Sequence, residues 1–170
     1  MSSPTAKISI LLPIRNAAAT LPACLRSIQR QSESDWQCIL VDDGSQDDSV
    51  ICARQFTARD SRFHLIETPP RGLVEALNTG WSACRGSFIA RMDADDLMHR
   101  HRLAMQRRVL ETNASLAAVG CHVRLFPRRQ LRDGHLAYER WLNRVCRMSN
   151  YPPHPDDSPR RVERFWVPRL

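Results

Sequence analysis

Short apolar runs alternate with amphipathic stretches through the first two-thirds of the chain. Ile8 to Leu12 is a β-branched-rich apolar run closed by Pro13 and predicts a buried strand. Thr20 is placed to cap a helix whose first turn tolerates Pro22, with Leu21, Leu25 and Ile28 on one face at i, i+4, i+7. Trp36 to Val41 predicts a second strand running into the turn sequence Asp42-Asp43-Gly44-Ser45. Asp47 then opens a second helix with Val50, Ala53 and Phe56 facing inward. Phe63 to Ile66 predicts a third strand, stopped by Pro69-Pro70, and Leu73, Leu77 and Trp81 mark a third helix. Ser87 to Met92 predicts a fourth strand ending at Asp93-Ala94-Asp95-Asp96. A helix around Leu103 to Leu110, a strand from Leu116 to Phe126, and an amphipathic helix carrying Ala137, Trp141, Val145 and Met148 follow.

Strands separated by helices of these lengths pair in parallel through right-handed crossovers, so the expected class is α/β, a mostly parallel sheet flanked by helices. The periodicity stops at Ser149, and five of the eleven prolines lie beyond it. The expected division is therefore one domain over 1–148 and an irregular or disordered tail over 149–170.

Composition narrows the class without naming a function. With 170 residues, 42% hydrophobic and 25% charged, the chain fits one soluble domain able to bury a core. The net charge of +7 is almost all arginine, Lys7 being the sole lysine. Charge alone, with no interleaved aromatics, does not make a nucleic-acid-binding protein, and none is expected as a partner. Cys24, Cys38, Cys52, Cys84, Cys121 and Cys146 stand singly in apolar stretches, as small core residues in a reducing compartment do. The six histidines show no zinc spacing. Neither a signal peptide nor a membrane-length apolar run is present, so a cytoplasmic location is expected, with peripheral membrane attachment left open.

Three polar clusters fall at strand ends, where open parallel sheets bind ligands: Pro13-Ile14-Arg15-Asn16, Asp42-Asp43-Gly44-Ser45 and Asp93-Ala94-Asp95-Asp96. The last carries three carboxylates within four residues. Their mutual repulsion calls for a counter-ion, and Mg²⁺ or Mn²⁺ accepts one or two carboxylates while completing its shell with phosphate oxygens and water. A loop whose aspartates cap the next helix, Asp96 above all, accounts for the same letters. Of Asp42 and Asp43, one fits an Asx-turn and the other a contact to a base N–H or ribose hydroxyl. Arg71, just before a helix, suits either a phosphate contact or a solvated loop. In that helix Asn78 and Gly80 are poor helix formers, which suggests a bond from Asn78 to a neighbouring loop and close packing at Gly80.

These segments, in this order and spacing, resemble family 2 glycosyltransferases of the GT-A type over roughly residues 7–125. The matching text is Ile8 to Asn16, Ile39 to Ser49, Gly72 to Gly80, and Gly86 to Asp96. The resemblance implies a GT-A, Rossmann-like fold incomplete at its C-terminal end. It also implies a nucleotide-diphospho-sugar donor, UDP-linked in many members, a divalent cation (Mn²⁺ or Mg²⁺), and inverting transfer to a glycan, lipid or other acceptor. By the same resemblance Pro13, Arg15 and Asn16 line the nucleotide pocket. One of Asp42 and Asp43 meets the base, Arg71 contacts the nucleotide, and Asp93 and Asp95 form the Asp-x-Asp motif at ribose and metal. The base that deprotonates the acceptor normally lies further along, and the late acids Asp156, Asp157 and Glu163 lack that context. The competing reading is a catalytically inactive, truncated remnant that binds donor and metal, or nothing. A dinucleotide-dependent oxidoreductase is disfavoured because Pro13-Ile14-Arg15-Asn16-Ala17-Ala18 stands where a glycine-rich fingerprint belongs.

Asp95→Asn is expected to weaken Mn²⁺-dependent binding of a UDP-sugar by at least about tenfold, or roughly 1.4 kcal/mol. Calorimetry checks this, and unchanged affinity removes Asp95 from the metal.

Overall fold

A computed structural model describes residues 6–145. They fall into two compact units that divide after Arg107. The expected boundary at 148 and the tail over 149–170 lie outside the described residues, as does Cys146.

The first unit holds a four-stranded parallel sheet built from β1 (Ile8–Ile14), β2 (Trp36–Asp43), β3 (Phe63–Thr68) and β4 (Phe88–Arg91), in the order β3-β2-β1-β4. The helices are α1 (Leu21–Gln29), α2 (Ser49–Thr57), α3 (Leu73–Ala83) and α4 (Arg102–Thr112), the last crossing the division between units. Every residue of β1 is buried, as a central parallel strand covered on both faces requires. Ile8, Ile10, Leu12 and Ile14 join Leu21, Leu25 and Ile28 of α1 in one apolar cluster, while Leu11, Ile39, Val41 and Ala76 form a second on the opposite face. Each such fully buried aliphatic side chain contributes about 1.5–3 kcal/mol relative to exposure.

Handedness explains the two faces. From β1 to β2 to β3 the chain steps one way across the sheet, so α1 and α2 share a face. From β3 to β4 it returns past β1, and a right-handed crossover then puts α3 on the other face. The reversal lies between β1 and β4, which is where such sheets open a crevice.

Four local expectations are corrected. Pro13 does not stop β1, which runs on to Ile14 with Pro13 opposite Val41. Leu11 O accepts from Met92 N, so by strand alternation the missing N–H of Pro13 falls on the β4 side, where pairing has already ended. Thr20 occupies the cap position of α1 without capping it; its hydroxyl bonds Ala17 O instead. Helix α3 exists, but its buried positions are Ala76 and Gly80, whereas Leu73 and Val74 are 53% and 69% exposed and Asn78 faces solvent. Finally, 116–126 is not a strand.

The second unit shows why. It contains a 3-10 turn at Arg128–Gln130 and α5 (Asp133–Val145). The amide of Asn143 accepts from Val123 N at 2.7 Å and donates to Val123 O at 2.8 Å, and Glu139 Oε2 accepts from Leu125 N at 2.7 Å. Side chains of α5 thus satisfy backbone groups that a neighbouring strand would otherwise pair.

Gly80 carries a steric demand. A Cβ there would lie 2.3 Å from Leu11 Cδ1 and 2.8 Å from Val41 Cγ2, so glycine sets how closely α3 seats on the sheet. Gly80→Ala is expected to cost about 1–3 kcal/mol by overpacking, read as a lower urea midpoint with unchanged slope; an unchanged midpoint contradicts the close seating.

Candidate functional site

The three polar clusters do meet at one end of the sheet, at the carboxyl ends of β1, β2 and β4. Register places Ile14 beside Asp42 and Leu11 beside Arg91. The ends of β2 and β4 therefore flank the end of β1, separated by two strand spacings, on the order of 10 Å.

Hydrogen bonds knit the first two clusters together. Asn16 adopts φ 50°, a left-handed conformation that asparagine tolerates. Its N–H donates to Ser45 Oγ at 3.0 Å and its Oδ1 accepts from Gln46 N at 2.8 Å. Ala17 N donates to Ser49 Oγ and Ala18 N to Asp47 Oδ2. Asp47 also accepts from Ser49 N, and the cap position of α2 is Asp48, one residue beyond Asp47, where the helix was expected to open. These contacts hold the carboxyl of Asp47 below the usual carboxylate range, the Ser49 hydroxyl being the main cause. Gly44, at φ 68°, completes the turn against Pro70.

The two aspartates ending β2 behave differently. Asp42 is buried; its Oδ2 accepts from Ser45 N at 3.0 Å, three residues on and so one further than the expected Asx-turn, which closes the loop after β2, and its Oδ1 has no hydrogen-bond partner and no accessible surface. Asp43 joins three elements. It accepts from Arg71 N at 2.7 Å and Gly72 N at 3.0 Å at the start of α3, and pairs with Arg15 Nη1 at 2.7 Å from the end of β1. The Arg71 N–H, then the Arg15 guanidinium, hold its carboxyl below its ordinary range. The Asp43 side chain is 4% exposed and that of Arg15 51%, so Arg15 is the movable partner. Arg71 enters through its backbone, with its side chain in solvent. Pro13 is buried within β1.

The third cluster is a turn closed by Asp96 N donating to Asp93 O at 3.2 Å, with Ala94 packed into the core, Asp93 half-buried and Asp95 exposed. Arg91 grips Asp93 with both guanidinium nitrogens, at 2.8 and 2.6 Å. The base of the loop is pinned to α1 and the residues just after it: Ser27 Oγ accepts from Met98 N, Gln31 donates to His99 O, and Gln31 Oε1 accepts from Leu103 N. Asp96 does not cap α4, which begins only at Arg102. Its carboxyl is pushed up by desolvation and by the charges of Asp93 and Asp95. The same negative field reaches Cys24, whose thiol burial raises to about 12 with Asp96 and Asp95 adding to it. Buried Arg102, bonded to Arg91 O at 2.9 Å and Met92 Sδ at 3.1 Å, offsets part of that charge from below.

Among the described residues no group of three His, Cys, Asp or Glu side chains could cage a metal ion. An open groove of about 570 Å³ lies elsewhere, between α1 and α2, and none of Asp42, Asp43, Asp93 or Asp95 lines it. Sequence reasoning missed Arg91, Arg102, Ser27 and Gln31. Arg91, two residues before Asp93, carried a detectable signal; the others are distant in sequence from what they hold.

A family model described as "Glycosyl transferase family 2" matches residues 9–162. The chain is 36% identical over 114 residues to "Uncharacterized glycosyltransferase EpsJ" of Bacillus subtilis (strain 168), covering 67% of this chain and 33% of that protein. It is 36% identical over 92 residues to "PGL/p-HBAD biosynthesis glycosyltransferase" of Mycobacterium tuberculosis (strain ATCC 25177 / H37Ra), covering 54% of this chain and 36% of that one. Among solved structures it is similar to the mannosyltransferase PcManGT from Pyrobaculum calidifontis in complex with GDP-Man and Mn²⁺, at 26% identity and TM-score 0.65, covering 72% of this chain and 37% of that chain. S. aureus TarS 1–349 in complex with UDP-GlcNAc shares the fold at 19% identity and TM-score 0.60. The chain thus spans about a third of the length of each of these two curated relatives.

Asn16→Ala is expected to cost about 1–2 kcal/mol, from the left-handed backbone and the lost acceptor for Gln46 N. Asn16→Gly, which relieves the backbone alone, should cost less. Equal melting curves for all three proteins contradict this joining role.

Proposed function

Because the chain belongs to glycosyl transferase family 2, we propose that its rim of carboxylates binds a nucleotide-diphospho-sugar and that the full protein transfers the sugar to an acceptor with inversion. The observation that carries the reading is the placement of Asp43 and the Asp93–Asp96 loop on either side of the end of β1, at the reversal of strand order. A UDP-sugar is the donor inferred, and the GDP-Man complex of PcManGT makes a guanine nucleotide the comparison to run.

In this reading Asp43 meets the base. Arg15 swings from Asp43 toward the nucleotide, and the freed carboxylate oxygen accepts from a base N–H, while Asp42 stays in its turn. Asn16 and Pro13 hold the end of β1 that forms the floor, and the side chain of Arg71 reaches the nucleotide from the start of α3. Asp93 and Asp95 would hold a divalent cation, Mn²⁺ or Mg²⁺, which supplies the charge that screens a diphosphate leaving group. Arg91, released from Asp93, supplies a guanidinium for phosphate oxygens. In the displacement the acceptor oxygen bonds to the anomeric carbon as the bond to the phosphate oxygen breaks, and the hydroxyl proton passes to a carboxylate base. No described residue is assigned as that base, and Asp156, Asp157 and Glu163 lie outside the described residues. A glycan or lipid hydroxyl is the acceptor class inferred.

Titrating the chain with UDP- and GDP-sugars, with Mn²⁺ or with chelator, tests this. Metal-dependent binding is expected, weakened at least about tenfold, or about 1.4 kcal/mol, by Asp93→Asn. Metal-independent binding, or none, defeats the donor site. Binding without turnover toward any acceptor selects the inactive remnant.

A further inference from the structure

Helix α5 turns its polar side inward. Glu139 and Asn143, four residues apart, bond the 123–128 segment: Glu139 also pairs with Arg128 at 2.7 Å, beside the contacts to Leu125 and Val123. On the order of 150° around the helix, Tyr138 and Trp141 stack with ring centroids 5.8 Å apart while 54% and 59% exposed. Phe126, between Arg124 and the Arg128–Gln130 turn, is 51% exposed as well. Residues 124–144 carry six arginines against two acidic residues, so +4 of the chain's net +7 sits in this segment.

We propose that this face docks on an anionic lipid surface. Tyrosine and tryptophan with polar ring edges settle at the headgroup level, and arginines bury their stems while their guanidinium groups pair with lipid phosphates. The helix lies on the bilayer, since no helix among the described residues is long and apolar enough to cross one. A second copy is the poorer occupant: two-fold pairing through Trp141 would set Arg140 and Arg144 of each chain against their like charges. The proposal is independent of the donor site, which uses other residues.

Co-sedimentation of the 170-residue chain with vesicles of equimolar phosphatidylcholine and phosphatidylglycerol tests it. Binding is expected to the anionic vesicles, to fall with added salt, and to be negligible on pure phosphatidylcholine. Tyr138→Ala with Trp141→Ala, and separately Arg140→Gln with Arg144→Gln, should each lower partitioning on the order of tenfold, with circular dichroism and donor binding unchanged. Asp93→Asn should leave partitioning intact, so failure of the donor reading is distinguishable. Absent binding, equal binding to neutral vesicles, or unchanged binding of the aromatic variant overturns the proposal. So does a dimer that Trp141→Ala dissociates without any vesicle binding.

Discussion

The handedness of parallel crossovers constrains everything else in this molecule. Two right-handed steps carry the chain from β1 to β3 with α1 and α2 on one face. The third must return past β1, and it reaches β4 only with α3 on the opposite face. Helices leave the sheet on different sides at the reversal, so the end of β1 stays uncovered between the ends of β2 and β4. Polar residues placed there meet without any long-range recognition between them.

Each carboxylate at that edge is managed differently. Asp43 is engaged by backbone amides and one half-exposed arginine, Asp93 by a bidentate arginine from the end of β4, and Asp96 by the charges of buried Arg102 and of Arg91, which do not outweigh its desolvation and the neighbouring aspartates. Compensation thus weakens from β2 toward the loop after β4. The proposed cation and donor would draw on both ends of that gradient, fixed geometry at one and residual negative charge at the other. Pinning the loop through Ser27 of α1 and through Gln31 just beyond that helix keeps the residual charge in place instead of letting the aspartates splay apart.

The second unit follows the same rule of satisfying backbone groups by another means. An isolated extended segment leaves a row of unpaired amides and carbonyls. Here Asn143 and Glu139 meet part of that demand, which fixes the side α5 turns inward and leaves Tyr138 and Trp141 outward. The aromatic face is therefore a by-product of the polar one.

Much of this was legible in the letters. The apolar runs at 8–12 and 36–41 are the two central strands, because burial on both faces demands uninterrupted hydrophobicity, while the shorter run at 63–66 is a half-buried edge strand. The aspartates at 42–43 and 93–96 mark strand ends because charges end such runs. The stripe of α1 and the tight fit at Gly80 followed from helical spacing and from a glycine where glycine is costly. The sequence alone did not separate Asp42 from Asp43, since only the face each points to decides which closes a turn and which meets Arg15. It could not show that Leu73 and Trp81 lie off the buried side of α3, nor that 116–126 would find side-chain partners instead of a strand. Those outcomes depend on what lies across a gap in space, and local pattern records only what each residue prefers, not which neighbour arrives to satisfy it.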